Sequence, residues 1–359
     1  MSGKARVVII DDSALVRTVL QKILATDPDI EVVGVAKDPI QAIKVIKETK
    51  PNVLTLDLEM PKMDGLTFLS KLMKIVPLPV IIISSRAERG NEATFRALEL
   101  GAIDFVTKPS LAVGSGLQDL SQEIIEKVKH ASSVNRQKLS KMYKATVKPS
   151  TGSSQESHKP KNIAVVQSIK STDKIIAIGG STGGTVAVRT ILQALPANLP
   201  PILIVLHMPA GFTKSYADGL NRLCKMNVIE AIDGEILKFG YAYVAAGGKH
   251  MLLDKNGYEF KLKLTDDPPC NLHRPSVDVT FQSVADKAGA NAIGIILTGM
   301  GADGANGLKE IYDEGGYTIA QDEKSSIVFG MPKQAIQVGA VKKIVTLTDI
   351  SKEIIEFIE

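Results

Sequence analysis

Residues 174–207 read KIIAIGGSTGGTVAVRTILQALPANLPPILIVLH, and their reading decides the fold of the C-terminal half. KIIAIGG is a short apolar run closed by glycines, which predicts a buried strand. Thr185–Leu195 carries apolar residues at helical spacing, and PILIVLH is a second buried run. Strand, helix and strand in so short a span make one β-α-β unit of a parallel sheet. The alternation continues outward. YAYVAAGGKHMLL and YEFKLKLT predict strands separated by Gly and Asn turns, Ser276–Lys287 a helix, AIGIILTG a strand and Gly304–Glu314 a helix. Ile350–Ile358 is a short amphipathic helix, so residues 173–359 are expected to form one α/β domain with a mainly parallel sheet.

Residues 1–130 repeat the alternation more regularly. Strands are predicted at Arg6–Ile10, Glu31–Ala36, Val53–Asp57, Pro79–Ser84 and Ile103–Thr107, each short and rich in Val and Ile. Ser13 can cap a helix that carries Leu15, Val16, Val19, Leu20 and Ile23 on one face. Five such units predict a doubly wound, five-stranded parallel sheet of flavodoxin-like type. Residues 131–172 break the pattern. They are polar, rich in Lys and Ser, and read as a linker.

Composition excludes several classes. With 359 residues, 44% hydrophobic and 23% charged, the chain can build cores and is not disordered as a whole. Apolar runs such as Val80–Ile83 are far shorter than the ~20 residues needed to cross a bilayer, so no membrane insertion is expected. MSGKARVVIIDDS lacks the features of a secretory leader. Cys224 and Cys270 cannot make a disulfide framework or a four-sulfur zinc site. A cytoplasmic protein is expected. The net charge of +4 arises in the linker, which holds eight basic side chains against Glu156. The rest of the chain is slightly acidic. With no Trp and 4% aromatics, few platforms exist for base stacking, and nucleic acid is not an expected partner.

In a parallel sheet the chemistry collects at the carboxyl ends of the strands. In the N-terminal half those ends carry Asp11 and Asp12, then Asp57, Ser84 and Lys108. Three carboxylates close together are unfavourable unless a cation joins them. Oxygen ligands of this kind suit Mg²⁺, and a carboxylate beside the ion can attack a phosphoryl donor. Lys108 and the Ser84 hydroxyl can then hold the phosphoryl oxygens.

In the C-terminal half, Gly179-Gly180-Ser181-Thr182-Gly183-Gly184 joins a strand to a helix. It fits the G-x-S-x-G pattern of a serine nucleophile and neither phosphate-binding pattern, G-x-x-x-x-G-K-[ST] or G-x-G-x-x-G. A serine nucleophile needs a base, and the base needs an orienting acid. Of the five histidines, only His207 ends a buried strand beside the serine unit. The acid should come from another strand end, and AIGIILTGMGADG supplies Asp303, which can equally cap the helix that follows. The order Ser…His…Asp differs from that of α/β-hydrolases and from both protease orders.

The run TLDLEMPKMDG and the strand-end set resemble a response-regulator receiver domain over residues 3–128. The resemblance implies Asp57 as phosphoacceptor, and Asp12, Asp57 and the Glu59 carbonyl as Mg²⁺ ligands with Asp11 as the outer acid. It also implies Ser84 as switch hydroxyl and Lys108 as phosphate contact. IGGSTGG, LHMPAGFT, HRPSVDV, LTGMGADG and VFGMP resemble the catalytic domain of the bacterial chemotaxis protein-glutamate methylesterases, the CheB family. That resemblance implies Ser181 as nucleophile, His207 as base, Asp303 as its orienter and the Met300 N–H as oxyanion donor, with no metal in the esterase site. Gly180 departs from the family, where alanine is common before the serine. The implied substrates are methyl-accepting chemoreceptors, at glutamate methyl esters and at glutamines, and the implied phosphodonor is a chemotaxis histidine kinase. His273 and Arg274 are expected either to rim the site or to lie in a solvated loop. The alternative of another class is a receiver that controls a non-enzymatic nucleotide- or DNA-binding module.

Overall fold

The computed structural model describes residues 4–61, 63–84, 88–108, 116–134, 139, 174–257 and 259–358, without the side chains of 88–91 and 116–119. Most of the expected linker lies outside the described residues, as do the prolines within it.

The N-terminal sheet has five strands: β1 (Ala5–Ile10), β2 (Ile30–Ala36), β3 (Val53–Asp57), β4 (Val80–Ser84) and β5 (Asp104–Thr107). They lie in the order β2-β1-β3-β4-β5, all parallel. Strands β3, β4 and β5 are buried along their whole length, as expected for a sheet covered on both faces. The helices between them are α1 (Ala14–Leu24), α2 (Pro39–Thr49), α3 (Gly65–Ile75), α4 (Glu88–Glu99) and α5 (Gly116–Ser133). Ser13 caps α1 through Val16 N–H, and Asp38 and Asp64 cap α2 and α3 in the same way. Helix α5 runs past residue 130 into the predicted linker.

The C-terminal half holds β6 (Ile175–Gly180), α6 (Gly184–Ala194), β7 (Ile202–Leu206), α7 (Phe212–Leu223), β8 (Asn227–Glu230) and β9 (Tyr241–Val244). There follow β10 (His250–Asn256), β11 (Glu259–Thr265), α8 (Val277–Ala288), β12 (Ala292–Ile296), α9 (Ala305–Asp313), β13 (Tyr317–Gln321), α10 (Met331–Gln337), β14 (Lys343–Val345) and α11 (Ile350–Ile358). Seven strands form one sheet in the order β14-β13-β12-β6-β7-β9-β8. Every pair in it is parallel, which sharpens the expectation of a mainly parallel sheet. Strands β10 and β11 form a separate antiparallel hairpin. YAYVAAGGKHMLL is therefore two strands, broken where Gly248 takes φ 83.

The strand order reverses between β1 and β3 in the first sheet and between β6 and β12 in the second. Ligands bind in the crevice that opens there. Asp11, Asp12 and Asp57 stand at the first point, and Ser181 and the 297–304 loop at the second.

The two halves share packing. Phe95 and Phe105 meet Phe212 and Tyr216, with ring centroids 4.7 Å apart for Phe105–Phe212 and 5.3 Å for Phe95–Tyr216. Thr182 Oγ1 donates to Asp104 Oδ2 at 2.6 Å, and Arg189 pairs with Glu99. Lys127 is almost wholly buried here, against Asp104 at 3.2 Å and Glu123 at 3.0 Å. Burial works against its charge, but the two carboxylates outweigh it and hold its pKa above the usual lysine value.

Candidate functional site

Gly180 is the register partner of Leu206, so Ser181 and His207 are the next residues on adjacent parallel strands. On the other side, Ser181 N–H donates to Thr298 O at 3.1 Å, which ties the serine to the loop after β12. Residue 299 must be glycine here. A Cβ on it would stand 2.2 Å from Met331 Sδ and 2.9 Å from Ser181 Cβ. The turn that starts α6 is made by Gly183 at φ 80, and Ser181 itself needs no left-handed backbone. The turn is thus tight, without the strained serine of an α/β-hydrolase elbow.

His207 Nε2 lies 2.7 Å from Asp303 Oδ2. Asp303 is buried and accepts four further hydrogen bonds: from Asn271 Nδ2 at 2.8 Å, Ser276 Oγ at 2.7 Å, Val277 N–H at 2.7 Å and Asp278 N–H at 3.2 Å. It does not cap α9, as its position allowed. Gly304 occupies that cap, and Asp303 instead meets the amino end of α8. Burial pushes its carboxyl up, but the bonds from His207, Ser276 and Asn271 outweigh this and hold it well below the carboxylate range.

An ionised carboxylate only accepts, so Nε2 carries the imidazole proton and Nδ1 keeps its lone pair. Nδ1 is buried and has no hydrogen-bond partner among the described residues. Ser181 Oγ, the adjacent hydroxyl, is not hydrogen-bonded to it. Such contacts often tighten only when substrate is present. Met300 N–H likewise donates to no group among the described residues.

His273 stacks on His207, with centroids 3.6 Å apart and planes 15° from parallel. Burial and the neighbouring His207 drop its pKa to about 3, so it stays neutral. Arg274 turns away and donates to the carbonyls of Asp266 and Asp267 at 2.7 and 3.0 Å. Of the two residues expected either to rim the site or to lie in a loop, His273 therefore reaches the site and Arg274 braces the loop. Asn271 and Ser276 are site residues that the sequence reading missed. Their only signal was the HRPSVDV run, which contains Ser276 and starts two residues after Asn271. The remaining buried histidine, His250, is held structurally by Pro268 O and Ser276 N–H. A cleft of about 630 Å³ opens between α4 and α7, and neither Ser181, His207 nor Asp303 lines it.

At the N-terminal crevice, Asp11, Asp12 and Asp57 each offer an oxygen within 4.8 Å of the others. Lys108 Nζ lies 2.7 Å from Asp57 Oδ2 and 3.6 Å from Asp11 Oδ2. Burial, then the charge of Asp57, pushes Asp11 up to about 6, and burial also raises Asp57. Glu59 N–H donates to Asp57 Oδ1 at 3.2 Å. Ser84 Oγ, buried at the end of β4, accepts from Thr94 Oγ1 of α4 at 2.6 Å. The hard oxygen donors, the raised carboxylates and the buried Asp11 Oδ2, which lacks a hydrogen bond, all fit a small divalent cation.

Residues 176–354 match the CheB methylesterase family model, and residues 7–113 match the response regulator receiver domain model. The chain belongs to the CheB methylesterase family. It is 50% identical over 355 residues to a protein-glutamate methylesterase/protein-glutamine glutaminase of Thiobacillus denitrificans, covering 99% of this chain and 97% of that one. The protein of the same name from Salmonella typhi is 48% identical over 358 residues, covering 98% and 97%. The crystal structure of the Thermotoga maritima CheB methylesterase catalytic domain superposes with a TM-score of 0.51 at 39% identity. That match covers 51% of this chain and 98% of the other. The nucleotide- or DNA-binding alternative finds no support in these likenesses. No helix among the described residues is long and apolar enough to cross a membrane.

Proposed function

We propose that this protein hydrolyses glutamate γ-methyl esters on methyl-accepting chemoreceptors and deamidates receptor glutamines in the cytoplasm, under control of receiver phosphorylation. The observation that carries the reading is the His207–Asp303 pair, which leaves Nδ1 as a buried, unpartnered base beside Ser181. Ser181 Oγ attacks the ester carbonyl as His207 Nδ1 takes its proton. The Met300 N–H holds the resulting oxyanion, a type of donor whose loss costs a factor of roughly 10²–10³. His207 returns the proton to the departing methoxide, and methanol leaves. Water then gives up a proton to His207 and cleaves the acyl-enzyme, which restores Ser181 and frees the glutamate. A glutamine passes through the same steps with ammonia as the leaving group. The names of the relatives, which cover both activities, support this reading.

In the receiver, Asp57 accepts a phosphoryl group from a chemotaxis histidine kinase. Asp12, Asp57 and the Glu59 carbonyl, with Asp11 behind them, would hold Mg²⁺. When bound, the cation offsets the charge between Asp57 and the incoming donor. Lys108 and Ser84 then hold the phosphoryl oxygens. Drawing Ser84 inward breaks its bond to Thr94, whose neighbour Phe95 packs on α7. The receiver seated on Thr182, directly after Ser181, hinders the protein substrate, and phosphorylation loosens it.

Ser181→Ala tests the assignment. It should abolish methanol release from methylated receptor membranes and leave Asp57 phosphorylation intact. Release at the wild-type rate would rule Ser181 out.

A further inference from the structure

Cys270 and His273 exchange both backbone hydrogen bonds, at 3.1 and 2.9 Å, and so close a two-residue turn over Asn271 and Leu272. Both central residues have positive φ, 52° and 68°. Turns of this kind favour Asn-Gly, because only glycine takes the second position without strain. Asn271 suits the first position and ties its amide to Asp303 and Asp278, at 2.8 and 2.7 Å. His273, at the end of the turn, stacks on His207. Leu272 has no such reason to be there. A bulky residue in the left-handed region is an outlier, and its side chain is 84% exposed. An outlier beside reacting groups points to a use for the side chain.

The substrate's geometry supplies that use. A glutamate γ-carbonyl is only three bonds from its own Cα, so the receptor backbone passes within roughly 4–5 Å of Ser181 Oγ. The surface around the serine must therefore touch the receptor segment on either side of the ester. We infer that Leu272 is a substrate-recognition residue, an apolar finger held beside His207 that packs on apolar side chains of the receptor helix flanking the modified glutamate. The inference rests on the methylesterase reading above. Leu272 is exposed with the receiver seated, so the contact is available before the receiver moves.

Leu272→Gly separates this role from a structural one, because glycine is the residue the turn prefers. The full-length protein, with a small-molecule phosphodonor, is assayed for methanol release over a range of methylated receptor membranes. Ser181 reactivity is followed by the labelling rate with a fluorophosphonate probe too small to need Leu272. The expected result is a KM raised roughly five- to tenfold, the scale of losing a partly buried leucine, with labelling within twofold of wild type. Leu272→Met should recover most of the KM. An unchanged KM in Leu272→Gly would overturn the inference. Parallel loss of labelling and methanol release would overturn it too, because the residue would then be holding the histidines. Wild-type protein that labels at Ser181 but releases no methanol would instead sink the methylesterase reading, and this inference with it.

Discussion

Asp104→Ala should raise the basal esterase rate, and the structure sets the scale. Asp104 Oδ2 accepts from Thr182 Oγ1 at 2.6 Å in a buried contact between the two halves. When the receiver lifts away, the threonine hydroxyl finds water. When it is seated against alanine, the hydroxyl finds nothing. A hydrogen bond to a charged group is worth about 1.5–3 kcal/mol, a factor of roughly 10–150 in the seated-to-free ratio. Methanol release without phosphodonor should climb by that factor, up to the rate of the fully released enzyme. Lys127 keeps Glu123 at 3.0 Å, so the helix that carries it is not left with a wholly unpaired charge. Arg189→Ala serves as the contrast. Its partner Glu99 is 43% exposed, so the pair is worth about 0–1 kcal/mol and the rate should change no more than roughly fivefold. The assay is methanol release from methylated receptor membranes, with thermal melts to show that both variants are folded. A folded Asp104→Ala protein with the wild-type basal rate would refute the idea that this contact seats the receiver.

Two further outcomes follow from the charges. Asp303→Asn puts an amide where five donors now point, so His207 loses its fixed tautomer and at least one donor is orphaned. The turnover number should fall about 10³–10⁴-fold, with a melting temperature below wild type, and a fall under tenfold would show that the carboxylate does not orient the base. Asp11 is raised from 3.8 to about 6, so its contribution to stability is complete below pH 3.8 and is lost as pH rises through about 6. Above that window two or three carboxylates are ionised together, and Mg²⁺ should raise the receiver's melting temperature more at pH 7 than at pH 5. Equal shifts at both pH values would contradict the assignment of the cluster as the cation site.

The β-α alternation of the receiver is legible because each buried strand is a compact Val/Ile run and each of the first three helices follows a capping Ser or Asp. Helix α7 is hard to read. Gly211 starts it without a side-chain cap, Gly219 sits inside it, and its buried face is spread over Phe212, Tyr216 and Leu220 among polar residues. The edge strands β8 and β14 and the short helix α10 also escape a reading by pattern, being brief or partly exposed, and so does the inner strand β13, a five-residue run with only Ile319 as a branched apolar residue. Ser181, His207 and Asp303 are legible as strand-end residues, a place that topology alone gives them. Asn271 and Ser276 are not, because their contacts with Asp303 depend on a loop folding back across 32 and 27 positions. The Asp104–Thr182 contact joins residues 78 apart on different domains and leaves no local trace.

The central claim is that His207, held by Asp303, makes Ser181 the nucleophile. The most direct measurement is intact-mass and peptide mass spectrometry after exposure to an organophosphonate, on wild type and on His207→Gln. One adduct per chain on the Ser181 peptide, formed at least a hundredfold more slowly in the variant, is the predicted result. An adduct on another residue, or equal labelling of Ser181 without the imidazole, would contradict the account.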